Sequence, residues 1–148
     1  LPYMISRNYG KIINMSGGGA FNPRPNFSAY AVSKAAIVRL TEQVADETKN
    51  HNISVNAIAP GMIKTEMMDE VVRSGELAGN ELEIAKKIIR EGGSDINKVT
   101  DLAVFLASKK SDGLTGRTIS AQWDDLQYIE NNIKDIMKSD KFKMKRIV

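Results

Sequence analysis

Tyr30 and Lys34 are the residues of this 148-residue chain whose types and spacing could do chemistry. They stand four apart in Tyr30-Ala31-Val32-Ser33-Lys34, where an amphipathic helix is predicted to begin. Positions i and i+4 are neighbours on a helix surface, so a phenol and an ammonium share one face. A free tyrosine, with a pKa near ~10, is a poor base at neutral pH. Lowering that value by about two to three units takes roughly 3–4 kcal/mol of preferential stabilisation of the anion, which an adjacent lysine and the positive end of a helix together can supply. The expected chemistry is proton transfer by Tyr30 with Lys34 as its cationic support. A Tyr–Lys pair alone more often marks an ordinary solvated helix face, so the elements around it decide its meaning.

Those elements alternate as a parallel sheet requires. Lys11 to Met15 is a short, isoleucine-bearing apolar run, the pattern of a strand covered on both faces. Asn26 or Ser28 can cap the following helix, which carries Ile37, Leu40 and Val44 on one side. Ile53 to Ala59 reads as a second strand, stopped by Pro60-Gly61. A strand–helix–strand order implies a right-handed crossover. Ligands of open α/β sheets bind beyond the carboxyl ends of the strands. Ser16 with Gly17-Gly18-Gly19, Tyr30, and Pro60-Gly61 should therefore converge on one edge. Downstream, helices are predicted over Glu66 to Arg73 and Asn80 to Arg90, with glycines at the joints Ser74-Gly75 and Ala78-Gly79. Another helix is predicted over Asp95 to Ala107, capped by Ser94, Asp95 or Asn97, and a strand over Arg117 to Ala121. Leu126, Ile129, Ile133 and Ile136 or Met137 form a last helical stripe, read as a packing face. Leu1 to Ile5 reads as the end of a helix that stops at Gly10.

In this order the run Gly10 to Met67 resembles the short-chain dehydrogenase/reductases, and is similar to their 3-oxoacyl-acyl-carrier-protein-reductase-like members. The resemblance is carried by the strand Gly10-Lys11-Ile12-Ile13-Asn14-Met15-Ser16, the Tyr30/Lys34 pair, Ser54-Val55-Asn56-Ala57-Ile58-Ala59-Pro60-Gly61 and Thr65. It extends more loosely to Ala121 through Leu102 to Ser108 and Leu114 to Ile119. It implies an α/β, Rossmann-like doubly wound parallel sheet of which the chain holds the carboxyl-terminal half, about three strands with flanking helices. Residues 1–121 would be the family core and residues 122–148 a C-terminal helix and basic tail. The family's glycine fingerprint for the dinucleotide is absent from the sequence, and Gly17-Gly18-Gly19 does not replace it.

The activity implied by the resemblance is hydride transfer between NAD(P)(H) and a small-molecule carbonyl or secondary alcohol. Tyr30 would exchange a proton with the substrate oxygen, while Lys34 would lower the tyrosine pKa and bond the nicotinamide ribose. Pro60, Gly61, the backbone of Ile63 and the hydroxyl of Thr65 would hold the nicotinamide. Family members place an oxygen-polarising serine about thirteen residues before the tyrosine, which here is Gly17. Ser16, one place earlier, is the candidate if the backbone reorients where the strand enters the glycines. The Glu66 to Arg90 region would form a lid, and the helix Tyr30 to Thr48 would build a homo-oligomer. Gln122-Trp123-Asp124-Asp125 departs from the Val-Asp-Gly-Gly-like end of many members. NAD and NADP are not distinguished. Two alternatives stand beside the reductase: a non-catalytic remnant serving as an interaction or dimerisation module, and a nucleotide-sugar epimerase or dehydratase. The close spacing of Pro60-Gly61 and Thr65 after the pair favours the reductase.

Composition narrows the field further. No cysteine is present, which removes disulfides and thiolate chemistry and fits a reducing, cytoplasmic compartment. The single histidine, His51, sits in the polar run Lys49 to Asn52 and rules out a histidine metal cluster. No apolar run reaches the roughly 18–20 residues of a membrane span. The net charge of +3 resides in Lys138 to Val148, which by itself sums to +4. That segment is expected to be a solvated tail, and neither nucleic acid nor a membrane is expected as a partner.

Overall fold

A computed structural model describes residues 1–146. Three parallel strands, β1 (Gly10–Met15), β2 (Ile53–Ala59) and β3 (Arg117–Ser120), form a sheet in the order β1-β2-β3. Ile12 pairs with Val55 and Ile13 with Asn56 across the first interface, and Ile58 pairs with Ile119 across the second.

Period-two alternation sends successive side chains to opposite faces, and each face is roofed by helix. Ile12, Ile53 and Val55 pack with Val44 and Ala45 of the long helix α2 (Ser28–Glu47). Ile13, Ile58 and Ile119 pack with Val99, Leu102, Phe105 and Leu106 of α5 (Ile96–Ala107). Both faces are thus apolar, and β2, central in the sheet, is buried from Ile53 to Ile58. Asp95 accepts a hydrogen bond from the Asn97 amide (2.9 Å), as its predicted capping role requires.

Between β2 and α5 lies a separate small unit, α3 (Glu66–Arg73), a 3-10 turn (Gly75–Ala78) and α4 (Glu81–Glu91). It has its own core of Val71, Ala78 and Ala85, against which Met68, Val72, Leu82 and Phe27 pack. Phe27 comes from the loop that leads into α2. Gly75 and Gly79, at φ 58° and 54°, make the joints in a backbone region that favours glycine.

Four sequence expectations need correction. Neither Asn26 nor Ser28 caps α2, whose N-cap position is Phe27 with no side-chain cap. The helix α1 (Pro2–Ser6) ends at Arg7, whereas Gly10 opens β1. Glycine is needed there because Met4 lies against it; a Cβ would meet the Met4 sulfur at 2.6 Å. The last stripe is two short helices, α6 (Leu126–Asn131) and α7 (Ile133–Met137), divided at Asn132.

The basic end up to Arg146 is no solvated tail. The Thr118 amide of β3 donates to the Phe142 carbonyl (2.9 Å), and the Met144 amide donates to the Glu42 carboxylate (2.7 Å). Arg117, 2% exposed, donates to the carbonyls of Ile136 (3.0 Å) and Ser139 (3.2 Å). Its burial costs enough hydration to lower its pKa from the ordinary arginine value, with Asp140 and Glu42 opposing that shift. The remaining residues of that predicted tail, Ile147 and Val148, lie outside the described residues. Among the described residues no helix is long and apolar enough to cross a membrane.

Candidate active site

Because β1 and β2 are parallel, their carboxyl ends meet at one edge of the sheet, and α2, returning between them, begins there. The strand sequence Ile12-Ile13-Asn14-Met15 therefore delivers Ser16 and Gly17 to the same place as Tyr30, in the first turn of α2. Lys34, one turn on, donates to the Met15 carbonyl (3.1 Å), which moors the ammonium to the end of β1. Its nitrogen lies 5.7 Å from the centre of the Tyr30 ring. The i, i+4 spacing thus becomes a cation beside a phenol, as the sequence predicted. Among the described residues the Tyr30 hydroxyl makes no hydrogen bond within this chain, and the residue is only half-buried.

The serine expectation is corrected here. Ser16 is 2% exposed, and its hydroxyl points at the Lys34 carbonyl of α2 (3.4 Å), away from solvent. Alternation explains this: Ser16 follows Ile12 and Asn14 on the α2 face, and Asn14 itself donates to Thr41 of that helix (2.9 Å). The residue that faces the phenol is Gly17. A Cβ built there would stand 2.8 Å from the Tyr30 hydroxyl oxygen, and one at Gly19 3.1 Å from the ring. The backbone at Gly17 is extended (φ 178°), a conformation open to any residue, so a side chain there would have to displace the Tyr30 hydroxyl and not the backbone.

The end of β2 is held by residues the sequence did not single out. Gln122 donates to the Pro60 carbonyl (2.9 Å) and to the Asp95 carbonyl (3.0 Å), and Ser94 accepts from the Met62 amide (3.1 Å). Gly61 has φ 86°, and a Cβ there would collide with Gln122 and Ser94 at 2.6 and 2.7 Å. The departure at Gln122 is thus a brace on the Pro60-Gly61 loop. Ile63 packs against the main core, and Thr65 occupies the N-cap position of α3 with its side chain exposed. Neither is bonded to Tyr30 or Lys34. Arg24, in the loop before α2, was also overlooked; its guanidinium lies 5.3 Å from the Tyr30 ring centre.

Two surface clefts lie elsewhere. One, of about 570 Å³, runs between α2 and the C-terminal segment. The other, of about 260 Å³, lies beside the end of β3 and includes Asp124. Burial raises the Asp124 carboxyl above its usual range, against the lowering effect of the hydrogen bond it accepts from the Ser120 amide (2.7 Å). Neither cleft is lined by Tyr30 or Lys34, so chemical geometry and not cavity size locates the candidate site. Among the described residues no group of acidic and histidine side chains is arranged to hold a metal.

Known proteins resemble this chain in sequence and fold. The family model described as enoyl-(acyl carrier protein) reductase matches residues 1–122. Oxidoreductase UcpA of Salmonella typhimurium is 42% identical over 120 residues, covering 78% of this chain and 46% of the relative. A 5-keto-D-gluconate 5-reductase of Escherichia coli is 34% identical over 117 residues, covering 79% of this chain and 45% of the relative. The chain spans about half the length of the curated relatives it matches. Among solved structures, a gluconate 5-dehydrogenase from Burkholderia cenocepacia, in complex with NADP and tartrate, superposes with a TM-score of 0.66 at 28% identity, covering 80% of this chain and 46% of that one. An NAD+-bound xylitol dehydrogenase gives 0.67 at 30% identity, covering 79% and 49%. On its sequence and its Rossmann-like half-sheet, the chain belongs to the short-chain dehydrogenase/reductase family of oxidoreductases.

Proposed function

We propose that this chain supplies the catalytic, nicotinamide-side half of an NAD(P)(H)-dependent oxidoreductase acting on a small carbonyl compound or the corresponding secondary alcohol. The observation that carries the reading is the Tyr30 hydroxyl, unbonded within the described chain, beside the moored Lys34 ammonium at the joint carboxyl ends of β1 and β2. The residues present suit the nicotinamide and its ribose. An added Cβ at Gly18 would meet nothing within 4 Å, leaving backbone open next to Tyr30, and the Lys34 ammonium and exposed Thr65 hydroxyl are available as polar partners. The fit does not extend to the adenosine and pyrophosphate, for which the sequence carries no glycine fingerprint. The dinucleotide, when bound, would supply the hydride in reduction and accept it in oxidation.

The chain's own residues do the rest. Tyr30 gives its hydroxyl proton to the substrate oxygen in reduction and takes it back in oxidation. Lys34 keeps a positive charge beside that phenol throughout, so that ionisation is not opposed by an apolar wall. With Ser16 turned inward and Gly17 lacking a side chain, Tyr30 is the hydroxyl donor to the substrate oxygen in this part of the site. The Pro60-Gly61 loop, braced by Gln122 and Ser94, and Thr65 orient the nicotinamide, and the α3–α4 unit acts as a lid that excludes water. The names of the relatives support an oxidoreductase over an epimerase or dehydratase.

The test is turnover with NADH and NADPH against a panel of carbonyl substrates. Tyr30→Phe is expected to lower kcat by about 10²–10⁴-fold, while Ser16→Ala leaves it within a small factor. Undiminished turnover in Tyr30→Phe overturns the reading.

Assembly follows from the same helix. Val32 and Leu40 of α2 are 68% and 52% exposed, so a homo-oligomer packed through this helix is the expected state. Sedimentation that finds a monomer at high concentration would remove that part.

A further inference from the structure

Arg24 lies in the loop between β1 and α2 and touches three things at once. Its Nε donates to Glu81 Oε1 (3.1 Å) and its Nη2 to Glu81 Oε2, a two-pronged pair with the first turn of α4. The guanidinium also lies 5.3 Å from the Tyr30 ring centre and 5.6 Å from that of Phe27. The Arg24 and Glu81 side chains are only 18% and 16% exposed, so the pair is screened far less than the molecule's surface ion pairs. A planar fork of this kind fixes orientation as well as distance.

The surrounding contacts make the loop and the α3–α4 unit one body. Phe27 belongs to the small core of Val71, Ala78 and Ala85, and a Cβ on Gly79 would meet the Asn26 amide nitrogen at 2.8 Å. Asn26 takes φ 69°, in the left-handed region that asparagine tolerates. Three neighbouring residues, Arg24, Asn26 and Phe27, thus attach the α3–α4 unit to the turn immediately before Tyr30.

We propose that Arg24 is a positioning residue which couples the seating of the α3–α4 unit to the orientation of the Tyr30 ring, through its bidentate pair with Glu81 and the cation–π approach of its guanidinium to the phenol. When α4 is seated, Glu81 holds the guanidinium against Tyr30; when α4 lifts, the guanidinium loses its anchor and the ring loses one wall. The phenol is then held for chemistry only under a closed lid. The catalytic significance rests on the reading of Tyr30 given above, but the coupling is a property of the chain itself.

The experiment separates the two. The chain is labelled at its tyrosine rings with carbon-13, and the resonances of Tyr3, Tyr9, Tyr30 and Tyr128 are followed in Arg24→Gln, Glu81→Gln and the charge-swapped pair R24E/E81R, with hydrogen exchange read over residues 20–30 and 66–91. Glu81→Gln leaves the residue beside Tyr30 intact. It is expected to shift the Tyr30 resonance alone among the four and to raise exchange several-fold in both segments, leaving β2 unchanged. The swapped pair is expected to return exchange in both segments toward the parent. A Tyr30 resonance that stays in place in Glu81→Gln while exchange in α4 rises would make Arg24 a structural bridge only and overturn the coupling. Unchanged exchange in both single variants would overturn the latch itself. Neither outcome depends on turnover, so either is distinguishable from failure of the oxidoreductase reading.

Discussion

The stretch from Gly10 to Gly61 and the stretch from Arg117 to Arg146 are built on opposite principles. In the first, local pattern and topology agree: an apolar strand, a long helix and a second strand stop at punctuation residues, and parallel connectivity brings their ends together. In the second, two short helices set Ile129 and Ile136 into the main core, and the cationic segment that follows is fixed by long-range hydrogen bonds. Arg117 is chief among their donors, its guanidinium donating to the carbonyls of Gly116, Ile136 and Ser139 from a position 2% exposed to solvent. Consistency across levels makes a segment legible, whereas a segment whose path depends on long-range polar anchors is not.

The sharpest way to break that comparison is to remove the anchor. Arg117→Met keeps length and apolar bulk but takes the guanidinium donor from the Ser139 carbonyl and one donor from the Ile136 carbonyl, which still accepts from the Ser139 amide and hydroxyl. An acceptor left unpaired costs about 1–3 kcal/mol, and the loss of stability is expected to fall in that range. Urea unfolding should show it, with exchange over residues 133–146 rising first and β1–β2 protected until the global transition. A loss under about 0.5 kcal/mol, within the scatter of surface substitutions, would mean that the C-terminal segment is held by its apolar contacts instead.

What was legible divides along the same line. The bounds of β2 and α3, the cap at Asp95 and the Tyr30/Lys34 face followed from residue types alone, because periodicity and punctuation act within a few residues. Ser16 misled because the reading allowed a backbone turn at the glycines. The strand's alternation instead continues through Ser16 and commits its hydroxyl to α2. Gln122, Ser94 and Arg24 were invisible as site residues because their partners, Pro60, Met62 and Glu81, lie 62, 32 and 57 positions away. The C-terminal segment was taken for a tail because its cations are solvated, as they are in the structure, while its backbone is fixed by partners such as Thr118 that lie far away in sequence.

Positions 16 and 17 give a smaller, sharper contrast inside the well-specified half. Gly17→Ala adds one methyl where the phenol oxygen already stands 2.8 Å from the ideal Cβ. It is expected to displace Tyr30 and to cost about 1–3 kcal/mol, the usual range for overpacking. Ser16→Ala removes only a long 3.4 Å hydrogen bond and is expected to cost less than about 1 kcal/mol. Thermal unfolding ranks the two, and the Tyr30 ring resonance should move in the first and hold in the second. The reverse order would put the serine, and not the glycine, against the phenol.

The smallest effect belongs to Asp124, just after β3 in the second region. Its folded-state pKa is raised chiefly by burial, so the folded protein binds its proton more readily than the unfolded chain does. The sign follows: at pH well below the usual carboxylate range both states are protonated and the group is neutral in its effect. As pH climbs through the window just above that range, the unfolded chain ionises first and folding loses stability. Asp124→Asn keeps an oxygen to accept the Ser120 amide and removes the charge. It should match the parent at pH about 3 and gain a modest stability advantage by pH about 7, once the parent carboxyl is ionised. Melting temperatures of the two proteins across that range measure the difference. A variant that is less stable than the parent at neutral pH would show that the charge strengthens the Ser120 hydrogen bond by more than its burial costs.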